Sequence, residues 1–157
     1  MNYRKIIEVE FKEYTEEALE KSWVWLNDPQ IKELTNTPDF DKESQRAWYE
    51  SLKTRTDYFI RSIVYKDQIV GVCGLKKING IDAEMWAYIG EKEFWGKTIG
   101  AQTAEYLIDY GRQIKLESIY AIYLKKNRAS IKTSMRFGLE YERDVNEDEV
   151  MLRVMLL

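Results

Sequence analysis

The chain has 157 residues, 45% hydrophobic and 32% charged, with a formal net charge of −3 and an isoelectric point near 5.2. That length suits one domain with a real core, no apolar run is long enough to span a bilayer, and the acidic balance gives no general attraction to nucleic acid. The absence of histidine excludes Ser-His-Asp and Cys-His nucleophile systems, and with a single cysteine it argues against a zinc or other metal site.

In chain order, Tyr3 to Phe11 alternates as a strand, with Ile7, Val9 and Phe11 on one side. Thr15 followed by Glu16 and Glu17 reads as a helix N-cap with an acidic first turn. This helix carries Ala18, Leu19, Trp23 and Leu26 and stops near Asn27-Asp28-Pro29. Ile31 to Thr37 is irregular or a short helical piece, and Asp41 caps a second helix through Ala47, Trp48 and Leu52. Tyr58 to Tyr65 and Ile69 to Leu75 form a hairpin around Lys66-Asp67-Gln68. Within it Cys73, among Ile69, Val70, Val72 and Leu75, reads as a small buried apolar residue.

A turn at Asn79-Gly80 leads to a strand over Ala83–Ile89, then a glycine-bearing turn and a helix to about Gln113. The unbroken apolar run Ile119–Leu124 is expected of a central strand. Arg128 to Phe137 forms a further helix that stops at Gly138. Leu139–Asp144 and Val150–Leu156 pair across the acidic turn Asn146-Glu147-Asp148-Glu149, a solvated hairpin tip rather than a calcium loop. No linker or repeat interrupts residues 1–157, so a single α/β domain is expected. The start Met1-Asn2-Tyr3-Arg4-Lys5 lacks the apolar block of a signal peptide, and a cytoplasmic location is expected.

The most informative segment is Phe94-Trp95-Gly96-Lys97-Thr98-Ile99-Gly100-Ala101-Gln102. Here a buried strand passes through glycines into an amphipathic helix. Backbone N–H groups converge at such a junction and the helix dipole adds partial positive charge, so an anion can bind. Glycine lets the backbone turn tightly and approach a ligand, and Lys97 adds a mobile cation. Two readings follow from this segment: a phosphate or pyrophosphate site, and a plain strand-to-helix connection whose glycines serve packing.

The element order, with Trp95-Gly96-Lys97-Thr98-Ile99-Gly100 and with Asn127-Arg128-Ala129-Ser130-Ile131 followed by Phe137-Gly138-Leu139, resembles the GCN5-related N-acetyltransferase (GNAT) superfamily. The first motif is similar to the family's acyl-CoA pyrophosphate loop, and the second to its Asn-x-x-Ser/Ala-Ile … Leu-Gly-Phe signature. Trp95 replaces the usual Gln or Arg, Thr98 a usual glycine, Leu139 a usual Phe, and Ser134 a tyrosine that in many members protonates the leaving thiolate. Trp25-Leu26-Asn27-Asp28-Pro29 with Trp48-Tyr49 is similar to the branch acetylating ribosomal protein N-termini and amino-sugar nucleotides.

The resemblance implies a mixed, largely antiparallel sheet of about seven strands flanked by about four helices. It implies acetyl-CoA as acyl donor, without a metal, on the N–H groups of Trp95, Gly96, Lys97, Thr98, Ile99, Gly100 and Ala101. The Thr98 hydroxyl could donate to a phosphate oxygen, and Asn127 and Ser130 would contact pantetheine or phosphate. Asn127 reads equally as a helix N-cap with Ser130 pointing outward. The pantetheine arm would run between the strands Ala83–Ile89 and Ser118–Leu124, with the N–H groups near Tyr88 and Ile89 polarising the carbonyl.

A primary amine would attack the thioester directly, so no enzyme nucleophile is needed. Glu84 shares a strand face with Trp86 and Tyr88 and is the candidate base; the alternative is a strand-end carboxylate paired with a lysine. Ser134, at the position of the family's usual acid, is a poor acid for the leaving thiolate, so Tyr123, Tyr141 or water would protonate it. Trp25, Asn27 and Trp86 are the expected acceptor contacts, whereas Trp23 and Trp48 read as core. The acceptor is a small amine such as an amino-sugar nucleotide, or else a protein N-terminus or a polyamine. Lys125 and Lys126 read as solvated. Dimers are common in the family, so a homodimer is a further expectation. Two other readings are a CoA-binding module with weakened chemistry and a nucleotide-binding enzyme of another α/β fold. Against the last, the glycine turn comes late in the chain and no Gly-x-x-x-x-Gly-Lys-Ser/Thr loop is present.

Overall fold

Local side-chain chemistry sets most of the helix starts. In the computed structural model, which describes residues 7–156, Thr15 accepts a hydrogen bond from Ala18 N and opens α1 (Glu16–Leu26). Asp28 caps α2 (Pro29–Leu34), with proline at the first helical position where its missing N–H costs nothing. Asp41 and Ser44 form a reciprocal capping box at the head of α3 (Lys42–Ser51). Asn127 caps α5 (Arg128–Arg136) through Ser130 N. The exception is α4 (Ile99–Gln113), whose N-cap residue Thr98 makes no side-chain cap.

The strands are β1 (Glu10–Glu13), β2 (Phe59–Tyr65), β3 (Gln68–Lys76), β4 (Asp82–Ile89), β5 (Ser118–Leu124), β6 (Glu140–Asp144) and β7 (Glu149–Met155). They form one seven-stranded sheet in the order β1-β2-β3-β4-β5-β7-β6. All neighbours are antiparallel except β4 and β5, whose parallel pairing is made possible by the crossover through α4. The β2–β3 hairpin turns on Lys66 and Asp67, at φ +44° and +66°, the left-handed pair whose twist matches its strands.

The expected mixed, largely antiparallel sheet is present, with five α-helices rather than about four because Pro29–Leu34 forms a regular helix. The first strand begins later than its alternation suggests, at Glu10, and Tyr3–Ile6 of the expected span lie outside the described residues. Each face of the sheet carries its own core. One holds Ile99, Ala104, Leu107 and Ile108 of α4 against Val70, Leu75, Ala83, Met85 and Ile119. The other holds Ala18, Leu19 and Trp25 of α1 against Val64, Ile69 and Val72, with Trp48 packed alongside. Trp23 instead meets Phe40 edge-to-face at 5.2 Å. Among the described residues no helix is long and apolar enough to cross a membrane.

Candidate active site

The parallel pairing of β4 with β5 covers Asp82, Ala83 and Glu84 against Ser118, Ile119 and Tyr120, and then stops. Beyond it both strands continue without a shared register, leaving a gap between Met85–Ile89 and Ala121–Leu124. Gly90 N donates to Val70 O at 2.8 Å, and the antiparallel register then directs the N–H of Tyr88 toward β3. N–H directions alternate along a strand, so Ala87 and Ile89 turn theirs toward the gap. Of the two N–H groups expected to polarise a carbonyl, that of Ile89 points into the gap and that of Tyr88 does not.

Gly90 is buried beneath Trp25, and a Cβ there would lie 1.9 Å from Trp25 Cδ2. Trp25 is 6% exposed, with its edge toward Tyr88, so it is a core residue that shapes the end of β4 rather than an acceptor contact. The chain then makes a 3₁₀ turn over Lys92–Phe94. Trp95 spends its N–H on Lys92 O and its indole Nε1 on Ile89 O at 2.7 Å. It therefore braces the loop, and its N–H is not available to a phosphate. Gly96, at φ +73°, reverses the chain and exposes Lys97.

The first backbone bond of α4 is Gln102 N to Thr98 O, at 3.1 Å. Among the described residues the N–H groups of Gly96, Lys97, Thr98, Ile99, Gly100 and Ala101 have no hydrogen-bond acceptor. These six donors sit at the positive end of a 15-residue helix. The Thr98 hydroxyl is engaged elsewhere, toward Ile7 O and as acceptor of Gln102 Nε2 at 3.1 Å. Gln102 also donates to Ile7 O at 2.6 Å and accepts from Val9 N at 3.1 Å, stitching the loop to the segment before β1. Nothing in the local pattern marked Gln102 for this role, because its partners lie more than 90 positions away.

The first turn of α4 faces α5: a Cβ on Gly100 would lie 3.8 Å from Thr133 Cγ2. At the head of α5, Asn127 Oδ1 accepts from Ser130 N at 3.4 Å, and among the described residues the Ser130 hydroxyl has no partner. Further along, Ser134 is 2% exposed and lies 2.7 Å from the Tyr123 hydroxyl of β5, whose pKa is raised by burial. Tyr141 does not join them; it is exposed on the edge strand and donates to Asp144. Lys125 and Lys126 are ion-paired, with Asp144 and Glu33, rather than simply solvated.

On the other sheet face Glu84 is 7% exposed, and its two oxygens meet Lys76 Nζ at 3.3 Å and Lys77 Nζ at 3.7 Å. The lysine pairing anticipated as the plain alternative is therefore present, doubled. Trp86 stacks on Tyr88 at 6.3 Å and meets Tyr58 at 6.1 Å. The Trp86 indole N–H is buried with no partner among the described residues. Burial pushes the Tyr58 hydroxyl up to about 12. Asn27 is exposed at the end of α1, where its amide donates back to Trp23 O at 2.7 Å, so this side chain serves its own helix terminus.

Known proteins share this architecture. The model of the acetyltransferase (GNAT) domain matches residues 8–140. The uncharacterized protein MJ1062 of Methanocaldococcus jannaschii is 25% identical over 151 residues, a match covering 92% of this chain and 31% of that protein. The chain thus spans about a third of that relative's length. Campylobacter jejuni N-acetyltransferase PseH, solved with acetyl coenzyme A, superposes with a TM-score of 0.74 at 16% identity over 96% of this chain and 100% of its own. Spermidine N-acetyltransferase from Vibrio cholerae, solved with CoA and spermine, gives 0.86 at 15% identity over 94% and 95%.

Proposed function

The chain belongs to the acetyltransferase (GNAT) domain family, and from that premise we propose that it transfers an acetyl group from acetyl-CoA to a primary amine by direct attack in a ternary complex. The observation that carries this is the run of six N–H groups from Gly96 to Ala101 that find no acceptor among the described residues, at the head of α4, which has no side-chain cap there. A row of convergent donors at a helix N-terminus suits a pyrophosphate. When bound, acetyl-CoA supplies the reactive thioester. Lys97 would add charge to the loop, and Asn127 and Ser130 would line the far side.

In the proposed chemistry the amine nitrogen bonds to the acetyl carbon as the carbon–sulfur bond breaks, and the sulfur leaves with the electron pair. Ile89 N–H polarises the carbonyl from the gap. Glu84 takes the proton from the amine directly or through water, and Tyr123, held by Ser134, gives one to the sulfur. Most of the acceleration comes from holding amine and thioester together. The acceptor is a small amine such as an amino-sugar nucleotide. A second reading, a CoA-binding module with weakened chemistry, draws on Glu84 being already engaged by two lysines.

Thermal unfolding with acetyl-CoA, NADH or ATP tests the cofactor reading. A ligand at one hundred times its dissociation constant adds about 2.7 kcal/mol, a rise of roughly 5–10 °C for a domain of this size. A shift with acetyl-CoA alone is expected, followed by amine-dependent CoA release. No shift at millimolar acetyl-CoA overturns both readings; a shift without turnover across an amine panel leaves the binding module.

A further inference from the structure

Building on the transferase reading, we propose that Lys76 and Lys77 form an anion subsite beside Glu84, so that the acceptor amine is one that carries a phosphate group. The Glu84 side chain is 9% exposed, whereas those of Lys76 and Lys77 are 38% and 68% exposed. The carboxylate is sunk and the two ammonium groups face outward, so an approaching ligand meets a net positive charge. Two lysines are more than one carboxylate needs, and the surplus cation is the one closer to solvent.

Backbone geometry makes the pair. Consecutive strand residues point to opposite faces, so adjacent lysines would ordinarily diverge. Lys77 lies just past the end of β3 at φ +57°, a left-handed conformation that is unfavourable for a non-glycine residue. That turn brings its ammonium to the same carboxylate as Lys76. The next residue is anchored by Ile78 N donating to Asp57 O at 3.0 Å. On the strand face that carries Glu84, Trp86 follows two residues on and stacks on Tyr88 at 6.3 Å with the planes within 25°, an aromatic wall for a ring system. A phosphorylated amino sugar matches all three features: an anion for the lysines, a ring for the wall and an amine for Glu84. A polyamine brings several positive charges to a spot that is already cationic, which disfavours it.

Isothermal titration of the protein loaded with CoA, so that the pyrophosphate loop is occupied, tests the subsite with UDP, glucosamine 6-phosphate and spermidine. One of the two phosphate compounds is expected to bind, and spermidine to bind worse. UDP alone points to a nucleotide diphosphate and glucosamine 6-phosphate alone to a sugar monophosphate; either supports the subsite. In K76Q/K77Q the affinity should fall about 10- to 100-fold, and K76R/K77R should restore it to within about 3-fold of wild type. Retained CoA binding by each variant reports that it is folded. Equal binding by wild type and K76Q/K77Q, or preference for spermidine, overturns the subsite and leaves the transferase reading standing. Failure of the wild type to bind CoA overturns both.

Discussion

Replacing Gly90 by alanine tests how the end of β4 is held. The new Cβ would fall 1.9, 2.2 and 2.4 Å from Cδ2, Cε2 and Cε3 of Trp25. Ordinary contact begins near 3.4 Å, so the ring would have to retreat by about 1.5 Å. Trp25 is 6% exposed and sits in the core with Leu19, Ile31 and Val72, which leaves it little room. Moving the backbone instead strains the Gly90 N to Val70 O bond of 2.8 Å. Overpacking of this kind costs about 2–3 kcal/mol, a loss of roughly 5–10 °C in Tm. Urea unfolding of wild type, G90A, W25L and the double variant measures it as a cycle. Gly90 has no positive φ, so with the ring gone alanine should be neutral or stabilising by about 0.5 kcal/mol. The sign of the G90A effect should therefore reverse in the W25L background. A neutral or stabilising G90A in the wild-type background refutes the packing of Trp25 on Gly90.

E84Q should lower kcat by about 10²–10⁴-fold while acetyl-CoA affinity stays within about twofold; unchanged kcat removes Glu84 as base. Y123F should lower kcat by at least about 10-fold and abolish the alkaline limb of its pH profile, with S134A giving a smaller loss; a Y123F profile identical to wild type refutes the acid role. Tyr14 and Tyr58 both have pKa values pushed up to about 12 by burial, against an ordinary 10.0. Above pH 10 the unfolded chain releases these protons before the folded one does. The stability from each group, about 3 kcal/mol, is thus complete below pH 10 and lost between pH 10 and 12. Urea titrations from pH 8 to 11.5 should show the fall, shallower in Y58F; a flat profile contradicts it.

Much of the fold was legible because its signals are local. Thr15, Asp41 and Asn127 cap the helices they precede, each by a hydrogen bond reaching three residues along the chain, whereas Asp28, read only as part of a helix stop, turns out to cap α2. The Lys66-Asp67 turn and the alternation of β2 and β3 place the hairpin in the same way. The anion-binding candidate was raised by local signals too, a helix start with glycines, where among the described residues six N–H groups find no acceptor. Side-chain roles were less so. Trp25, read as an acceptor contact, covers Gly90, which lies 65 positions away in sequence. Trp95 turns its indole inward to Ile89, and Asn27 folds back on its own helix.

What the sequence determined alone was the order of elements, most of their caps, the glycine turn and the chemistry excluded by a chain without histidine. These depend on periodicity and on bonds between near neighbours, which a linear chain displays directly. The tertiary structure decided that Gln102 ties the loop to Ile7 and Val9, that Ser134 meets Tyr123, and that Lys76 and Lys77 share Glu84. It also decided that β4 and β5 part after Glu84 and Tyr120. Such pairings depend on strand register, on the crossover through α4 and on one left-handed residue, and each of these is settled only when distant segments pack against one another.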